Sequence, residues 1–262
     1  MSRSGWPGRG RLRVDRRRQR YHRRGDGPAR RSSGVIRELL RGLSAVLLIA
    51  GTIVLADVGA TLLWQEPVTA LIAKLRQDDL ANQLDRAPLP TASPVQRRAL
   101  AEIDGDRAQL AFLARRYKRE LRRGEAAGRI RIRKIGVNKV VVFGTDHDDL
   151  TKGPGFYPSQ PLPGAPGTAA IAGHRTTYGA PFRKIDRLRR GDPIDVELPY
   201  GRFRYRVLRL RSVTPDSVWV LRRRSYDQLI LSACDPPFSA ARRLIVFAKL
   251  ERGTVRRAGD TA

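Results

Sequence analysis

The chain is poor in cysteine, histidine and acidic residues. Its single cysteine, Cys234, excludes a disulfide within the chain and a cysteine-rich zinc site. Three histidines, His22, His147 and His174, are too few for an ordinary histidine-based metal centre. We therefore expect no metal and no cofactor. A lone cysteine is either a buried structural residue or a reactive one, so its neighbourhood has to decide between the two.

The shortage of acidic residues leaves a large positive charge. Asp and Glu number 25 against 52 Lys and Arg, and the formal net charge is +27. Such a charge is typical of proteins that bind nucleic acid, anionic lipid or another anionic polymer. The excess is spread along the chain, because residues 1–41 contain 14 Arg and three acidic residues and the rest lies downstream. Charge alone therefore does not identify the partner.

The N-terminal part changes abruptly in composition. Residues 1–35 are rich in Arg, Gly and Ser and have almost no aliphatic side chains, which predicts a disordered tail over residues 1–41. Residues 42–64 then carry a single charge, at Asp57. This stretch is long enough to cross the roughly 30 Å hydrocarbon core of a bilayer. It predicts a transmembrane signal anchor rather than a shorter, cleaved signal peptide.

Basic residues precede the apolar stretch, and the next region is a linker. Arg37 and Arg41 lie at its N-terminal side, so we expect a cytoplasmic N-terminus and an extracytoplasmic remainder. Residues 65–128 are predicted to be an extracytoplasmic linker with an amphipathic helix. Apolar residues recur at helical spacing over residues 98–121. That helix either packs on the folded domain or stands free as a stalk.

The hydrophobic period changes after Gly128. Short alternating or apolar segments follow, separated by turns rich in Gly and Pro: RIRIRKI, KVVVF, TAAIAGH, PIDVEL, RFRYRVLRLRSV, DQLILSAC and RRLIVFAKL. Seven or eight strands in about 125 residues predict a mainly β fold, a closed antiparallel barrel or a sandwich, over residues 129–252. The arginines of RFRYRVLRL are then expected on a solvated outer face. Residues 253–262 are predicted to form a disordered C-terminal tail.

Three chemically active side chains lie where predicted strands meet loops. Cys234 ends the run LILSAC, His174 ends TAAIAGH, and Arg243 begins RLIVFAKL. An imidazole can protonate the group that leaves when a thiolate attacks an amide. A guanidinium can stabilise the oxyanion with permanent positive charge. This combination favours a reactive cysteine over a structural one.

The segments around these residues resemble a known family. IAGHRTTYGAPF and LSACDPPFSAARRLIVFA are similar to the two signature blocks of sortases, most of all those of class E from actinobacteria. The run KIGVNKVVVFGTDHDDLTKGPGFYP resembles the family's first strands, and the resemblance covers about residues 129–250. It implies a closed sortase-type β-barrel of about eight strands with short helices. A helical linker and a single N-terminal transmembrane helix would precede the barrel.

The resemblance also implies an activity. Cys234 is expected to attack the Thr carbonyl of a C-terminal sorting signal of LAXTG or LPXTG type and cut between Thr and Gly. His174 is expected to act as general acid and base. Arg243 is expected to hold substrate and stabilise the oxyanion, whereas its neighbour Arg242 points to the opposite face of the strand. The implied partners are secreted proteins with that signal, a lipid II-type peptidoglycan amine and the cell membrane, with no nucleic acid.

Several positions depart from the family pattern or admit two interpretations. Ala233 stands where the family usually has Thr, and Phe156 stands where many class E relatives have His. We predict these two residues and Tyr178, which lies in the His block, as substrate-binding positions. His147 lies in the acidic run TDHDDL. That run is interpreted as a solvated turn, with a cation-binding loop as the alternative.

Other functions stay open on the sequence alone. One is a non-enzymatic basic membrane protein that binds an anionic polymer. A second is a sortase-like protein of weak catalysis, for which Ala233 is the warning sign. A third is a hydrolase with the same cysteine and histidine, in which water resolves the thioester instead of an amine.

Overall fold

The computed structural model describes residues 32–63, 67–86, 98 and 102–256. By its internal contacts the chain divides into two units, Met1–Leu55 and Ala56–Ala262. Of the predicted tails, residues 1–31 and 257–262 lie outside the described residues, whereas residues 253–255, assigned to the C-terminal tail by sequence, belong to the last strand.

Helix α1, Ser32–Leu63, contains the long apolar stretch. It begins ten residues before the predicted anchor, so residues 32–41, assigned to the tail by sequence, are helical. The segment Arg37–Gly59 is long and apolar enough to cross a membrane. Ser44 and Thr52 donate their hydroxyl hydrogens to backbone carbonyls four residues earlier, each at 2.8 Å. These polar groups are therefore satisfied within the helix, as an apolar environment requires.

Helix α2, Pro67–Arg86, packs on the β-domain. Its buried residues Ala73, Gln77 and Leu80 recur at helical spacing. The side-chain amide of Gln77 donates to the Val140 carbonyl at 3.1 Å and accepts from the Val140 N–H at 2.8 Å. Gln77 thereby satisfies both backbone groups of one strand residue. The predicted linker of residues 65–128 therefore begins with a helix of 20 residues.

Helix α3, Asp106–Glu120, also packs on the β-domain. Leu110, Ala114 and Tyr117 are buried in the core of that domain. The Tyr117 hydroxyl donates to the Ala127 carbonyl at 3.0 Å and fixes the helix to the first strand. The predicted helix is therefore part of the folded domain and is not a free stalk.

Eight strands form a closed barrel in the order β1-β2-β3-β4-β7-β8-β6-β5. A short helix, α4, lies between β2 and β3. The bounds are β1 Ala126–Ile132, β2 Val137–Phe143, α4 His147–Lys152, β3 Gly155–Phe156, β4 Thr168–Ala172, β5 Pro193–Leu198, β6 Gly201–Val213, β7 Gln228–Asp235 and β8 Arg242–Val255. The predicted closed, mainly β fold is confirmed, but the antiparallel expectation is wrong at two places. Strands β2 and β3, and strands β4 and β7, pair in parallel. In the chain, α4 lies between the first two strands, and β5 and β6 lie between the second two.

One part of the barrel exterior is strongly charged. Along β6, Phe203, Tyr205 and Val207 are buried, while Arg202 and Arg204, which alternate with them, are exposed. The arginine face comprises the outward side chains that the strand register places side by side on β1, β5, β6 and β8: Arg129, Arg131, Asp195, Glu197, Arg202, Arg204 and Arg252. A cavity of about 830 Å³ lies over these residues. The predicted solvated outer face is therefore present.

Another part of the exterior is apolar and buried. The outer apolar cluster comprises side chains on the outward faces of β4, β7 and β8, on the end of β6 and on the connection that follows it: Ala170, Val213, Val220, Ile230, Ile245 and Phe247. The connection between β6 and β7 covers it with a 3-10 turn, Val218–Leu221. Trp219 of this turn stacks on the Phe247 ring, with centroids 6.1 Å apart. The strands beneath Cys234 are thus packed on both faces.

Candidate active site

Cys234 is the penultimate residue of β7 and lies on the outer side of the barrel. Leu231 and Ala233 belong to the inner core, whereas Ile230 belongs to the outer apolar cluster. Because side chains alternate along a strand, Cys234 shares the outer face with Ile230. The cysteine is free and partly exposed. A thiol at this position can meet a substrate, which a thiol inside the barrel cannot do.

Arg243 lies directly across from Cys234 in the antiparallel pair of β7 and β8. Such partners have Cβ atoms roughly 4.5–5.5 Å apart and project from the same face. The Arg243 Nη1 group donates to the carbonyls of Ala240 and Arg242 at 2.9 and 3.1 Å. These bonds hold the guanidinium over the β7–β8 connection.

Arg242 makes different contacts from its neighbour. Its Nε–H donates to the Ser212 hydroxyl at 2.9 Å, and its Nη2 group donates to the Ser212 carbonyl at 2.9 Å. Ser212 pairs with Leu244, an inner-core residue. Arg242 is therefore tied to β6, and of the two arginines Arg243 is the one that lies across from the thiol.

His174 reaches the same end of the barrel through the parallel pair of β4 and β7. Ala172 lies beside Ser232 in the register, and the Gly173 N–H still donates to the Ser232 carbonyl at 3.0 Å. His174 and Cys234 are each two residues further along adjacent chains, which lie roughly 4.8 Å apart in a sheet. The structure therefore brings His174, Cys234 and Arg243 together at one end of three neighbouring strands. The predicted strand TAAIAGH ends earlier, at Ala172, so His174 lies at the start of the loop.

Burial and a second histidine disfavour the charged form of His174. The pKa of its imidazole is lowered from the ordinary value of 6.5, mainly by burial and additionally by the positive charge that His147 can carry. The Nε2 atom is buried and has no hydrogen-bond partner among the described residues. A neutral imidazole with an uncommitted ring nitrogen is suited to accept a proton.

Tyr178 packs between the two histidines. Its ring centroid lies 5.0 Å from that of His174, with the planes tilted by 47°, and 6.0 Å from that of His147 in an edge-to-face arrangement. Aromatic contacts at these distances restrict ring rotation. Tyr178 therefore helps to orient the imidazole of His174. Its predicted role in substrate binding stays a prediction.

Arg175 connects the loop that begins at His174, the histidine loop, to strand β7, which carries Cys234. Its side chain is 6% exposed, and its Nη1 group donates to the Cys234 carbonyl at 3.2 Å and to Asp235 Oδ1 at 2.7 Å. Its Nη2 group forms an ion pair with Asp186 at 3.2 Å. A buried guanidinium with two carboxylate partners fixes geometry, because its fork allows few arrangements. The residue after His174 thus sets the position of the end of β7.

Backbone strain is concentrated in the two loops that leave this site. The non-glycine residues with left-handed φ in the described part of the chain are Tyr178 (52°), Ala180 (38°) and Phe238 (64°). Two follow His174 and one follows Cys234. Residues held in this region cost about 1–3 kcal/mol each and are concentrated at functional sites. The loop conformations therefore support the assignment of the site to this end of the barrel.

The other two predicted substrate-binding residues lie in the barrel interior. Ala233 is 2% exposed and Phe156 is 1% exposed, and both belong to the inner core. Ala233 pairs with Leu244 across the strand, on the face opposite to Cys234. An influence of either residue on substrate would therefore pass through the packing of the strands. Their role stays a prediction.

The acidic run around His147 forms a helix start. Asp146 and Asp149 cap α4 reciprocally, since each carboxylate accepts the backbone N–H of the other residue. Asp146 also pairs with Arg123. Among the described residues no group of three or more His, Cys, Asp or Glu is placed to hold a metal. The predicted solvated turn is therefore wrong in part, because the run caps and begins a helix and Asp149 is buried.

Sequence reasoning missed Arg175 and its partner Asp235. The signal was present, because each residue directly follows one of the three singled-out positions, in GHR and in ACD. Arg175 and Asp235 occupy corresponding places at the ends of β4 and β7. They predict an ion pair only if these two strands are neighbours. The parallel pairing of β4 and β7 was the information that the sequence argument lacked.

Comparison with known proteins shows similarity to sortases. The family model of the sortase domain matches residues 130–251. Sortase D from Bacillus subtilis is 35% identical over 131 residues, which cover 48% of this chain and 64% of sortase D. Sortase SrtE1 from Streptomyces coelicolor is 37% identical over 93 residues, which cover 32% of this chain and 26% of SrtE1. The chain thus spans less than two thirds of either curated relative.

A solved structure supports the fold. The SrtF sortase from Corynebacterium diphtheriae aligns with a TM-score of 0.51 and 27% identity, over 54% of this chain and 91% of that chain. The family match contains the barrel ends with Cys234, His174 and Arg243. Over residues 130–251 the chain is similar to the sortase domain, and its curated relatives are sortase D and sortase SrtE1.

Proposed function

We propose that this chain is a membrane-anchored cysteine transpeptidase with Cys234, His174 and Arg243 as its catalytic residues. The observation that carries the proposal is their convergence on the ends of β4, β7 and β8. A thiol, an imidazole with a buried free nitrogen and a guanidinium across from the thiol supply a nucleophile, a proton carrier and an oxyanion donor.

The first half-reaction forms a thioester. The neutral imidazole of His174 accepts the proton of the Cys234 thiol as the sulfur attacks the Thr carbonyl of an LAXTG-type or LPXTG-type signal. The oxygen of the tetrahedral intermediate carries the new negative charge, and Arg243 stabilises it. When the Thr–Gly bond breaks, His174 gives its proton to the leaving amine, which departs with the C-terminal peptide.

The second half-reaction transfers the acyl group to an amine. An amino group of a lipid II-type peptidoglycan precursor attacks the thioester, and His174 accepts the proton released from that nitrogen. The carbon–sulfur bond breaks, and the thiol is regenerated as the proton returns to sulfur. The product is a secreted protein joined to the wall precursor by an amide bond.

Membrane attachment is supported by helix α1. Its apolar segment Arg37–Gly59 has the length of a membrane span. Arg37 and Arg41 lie at the N-terminal end of this segment, and basic residues at one end of a span favour the cytoplasm. We infer that the barrel lies outside the cell membrane, where secreted proteins and wall precursors are available.

The test uses the full chain in detergent with LAXTG and LPXTG peptides, with and without an added amine. We expect an acyl-enzyme at Cys234 by mass spectrometry and an amide product when the amine is present. Cys234→Ala should abolish both, and His174→Ala should reduce the rate of transfer by about 10²–10⁴-fold. Arg204→Ala, on the arginine face, is the matched control and should leave the rate within about two-fold.

Two outcomes would change the proposal. Release of the acyl group by water alone, with the amine present in excess, would make the chain a hydrolase. Absence of any thioester adduct with both peptides, in a protein whose near-ultraviolet circular dichroism shows intact packing, would contradict the enzymatic function for these substrates.

A further inference from the structure

The first half of helix α2 exposes an apolar patch. Leu71, Ile72 and Leu75 are 59%, 42% and 62% exposed. Beyond α1, the other exposed large hydrophobic residues of the described chain are Val218 and Phe238, each on a separate loop. The α2 patch therefore concentrates three exposed apolar side chains on one helical segment. Single scattered residues such as Val218 and Phe238 do not form such a patch.

The charges of α2 are divided along its length. Lys74 and Arg76 lie beside the patch, whereas Asp78, Asp79 and Asp85 belong to the second half. The first half of α2, which is apolar and basic, is suited to an anionic lipid surface. The second half is not, because anionic headgroups repel its carboxylates.

Covalent connection keeps this patch near lipid. Helix α1 ends at Leu63 and α2 begins at Pro67, and the four Cα–Cα steps between these residues extend at most about 14 Å. If the segment Arg37–Gly59 crosses a membrane, α2 begins eight residues after the end of that span along the chain. A lipid surface is therefore the partner that the chain itself presents to the patch.

The buried side of the same half of α2 lies against the active-site loop. The Cβ of Ala73 would be 3.3 Å from a Cβ built on Gly179, the residue after Tyr178. Arg76 Nη1 donates to the Thr151 hydroxyl at 2.8 Å on α4. The lipid-facing patch and the histidine loop thus lie on opposite sides of a single helix, whose diameter is about 10 Å.

We propose that Leu71, Ile72 and Leu75 insert into the interfacial region of an anionic lipid surface and hold the active-site end of the barrel at headgroup level. The inference rests on the membrane anchoring in the proposed function. It adds a second contact with the membrane, made by the catalytic unit itself. Its consequence is that an amine carried on a lipid headgroup reaches the thioester more readily than a free amine.

The first test measures insertion directly and does not require activity. Because Cys234 is the only cysteine, an environment-sensitive NBD label can be placed at single sites in a Cys234→Ala chain reconstituted in vesicles with anionic phosphatidylglycerol. We expect a blue shift and quenching by doxyl lipids for Ile72→Cys. Asn82→Cys, an exposed position in the second half of α2, should report water.

Equal emission and equal quenching at the two positions would overturn the inference. A second copy of the chain on the patch is the rival occupant. It would protect Ile72→Cys in detergent as well as in vesicles, in proportion to protein concentration and without doxyl quenching, and that result would also overturn the inference.

The second test links insertion to transfer. A Leu71→Asp, Leu75→Asp double variant should keep its rate with free triglycine and lose about ten-fold with triglycine coupled to phosphatidylethanolamine in the same vesicles. Equal rates of the variant and the wild type on the coupled acceptor would overturn the inference. If the wild type transfers to neither acceptor, the proposed function fails, and the label measurement still decides whether α2 meets lipid.

Discussion

The barrel has two outer faces that obey the same alternation and differ in what covers them. On the arginine face, outward side chains are charged and cross-strand neighbours pair, as Arg204 does with Asp195 at 2.7 Å. In the outer apolar cluster, outward residues such as Ile230 and Phe247 are as buried as the inner core. Cys234 continues the second face. A strand that is apolar on both sides, with a polar end, therefore marks the end of the barrel where we propose the active site.

The difference also explains where charge is tolerated. Arg204 and Arg252 lie directly opposite each other on β6 and β8, an arrangement of like charges that is unfavourable without solvent. Water screens such pairs on the arginine face, so its ion pairs contribute little to stability. Beneath the site, the covering turn excludes water, and packing determines the geometry instead.

The largest expected effect is on the stability of the covered face. Phe247→Ala should cost about 3–5 kcal/mol of unfolding free energy, because a buried ring stacked on Trp219 is lost. Arg204→Ala, whose side chain is 49% exposed, should cost no more than about 1 kcal/mol. Guanidinium-induced unfolding of the full chain in detergent, followed by near-ultraviolet circular dichroism, measures both. Similar losses for the two variants would remove the contrast between the faces.

The second effect separates neighbours on β8. Arg243→Ala should lower kcat/KM by about 10²–10³-fold, since it removes the donor across from the thiol. Arg242→Ala should change it by no more than about three-fold, because that side chain is bonded to Ser212. Steady-state transfer to a free amine gives both values. An equal loss in the two variants, or a larger one for Arg242→Ala, would contradict the assignment.

The fold was predictable to the extent that period and composition determine it. The alternation in RFRYRVLRL identifies the two faces of β6, and the apolar runs of β4 and β7 predict strands buried on both sides. The strand order was not predictable from these patterns, because β4 and β7 are separated by β5 and β6 in the chain yet pair in parallel. That pairing depends on long-range packing.

The candidate site was predictable in its residue types and not in its supports. Cys234, His174 and Arg243 were singled out because each lies where a strand meets a loop. The ion pairs of Arg175 with Asp186 and Asp235 were missed, since a buried arginine cannot be recognised without its carboxylate partners. The packing of His147 through Tyr178 was missed as well, because α4 and the histidine loop are distant in sequence.

The third effect concerns the ion pairs of Arg175. Arg175→Met should lower kcat by about 10–100-fold with KM changed by no more than about three-fold, because the end of β7 shifts relative to His174. It should also slow alkylation of Cys234 by iodoacetamide, since Asp235 beside the thiol loses its counter-charge. Arg175→Lys should recover part of the rate. A loss in KM alone would assign Arg175 to substrate binding instead of positioning.

The smallest expected effect is on the titration of His174. The positive charge that His147 can carry is one cause of the lowered pKa of His174, so His147→Gln should raise that pKa towards 6.5 without reaching it, because burial remains the larger cause. The lowered pKa of His174 also makes the stability of the fold depend on pH. As the pH falls through 6.5, the unfolded chain binds the proton before the folded chain does, so the fold loses stability below 6.5 and is unaffected above it. The variant should lose less stability on acidification than the wild type. Imidazole resonances in a proton NMR titration measure the pKa directly, since the chain has three histidines, and an unchanged value in His147→Gln would show that burial alone sets it.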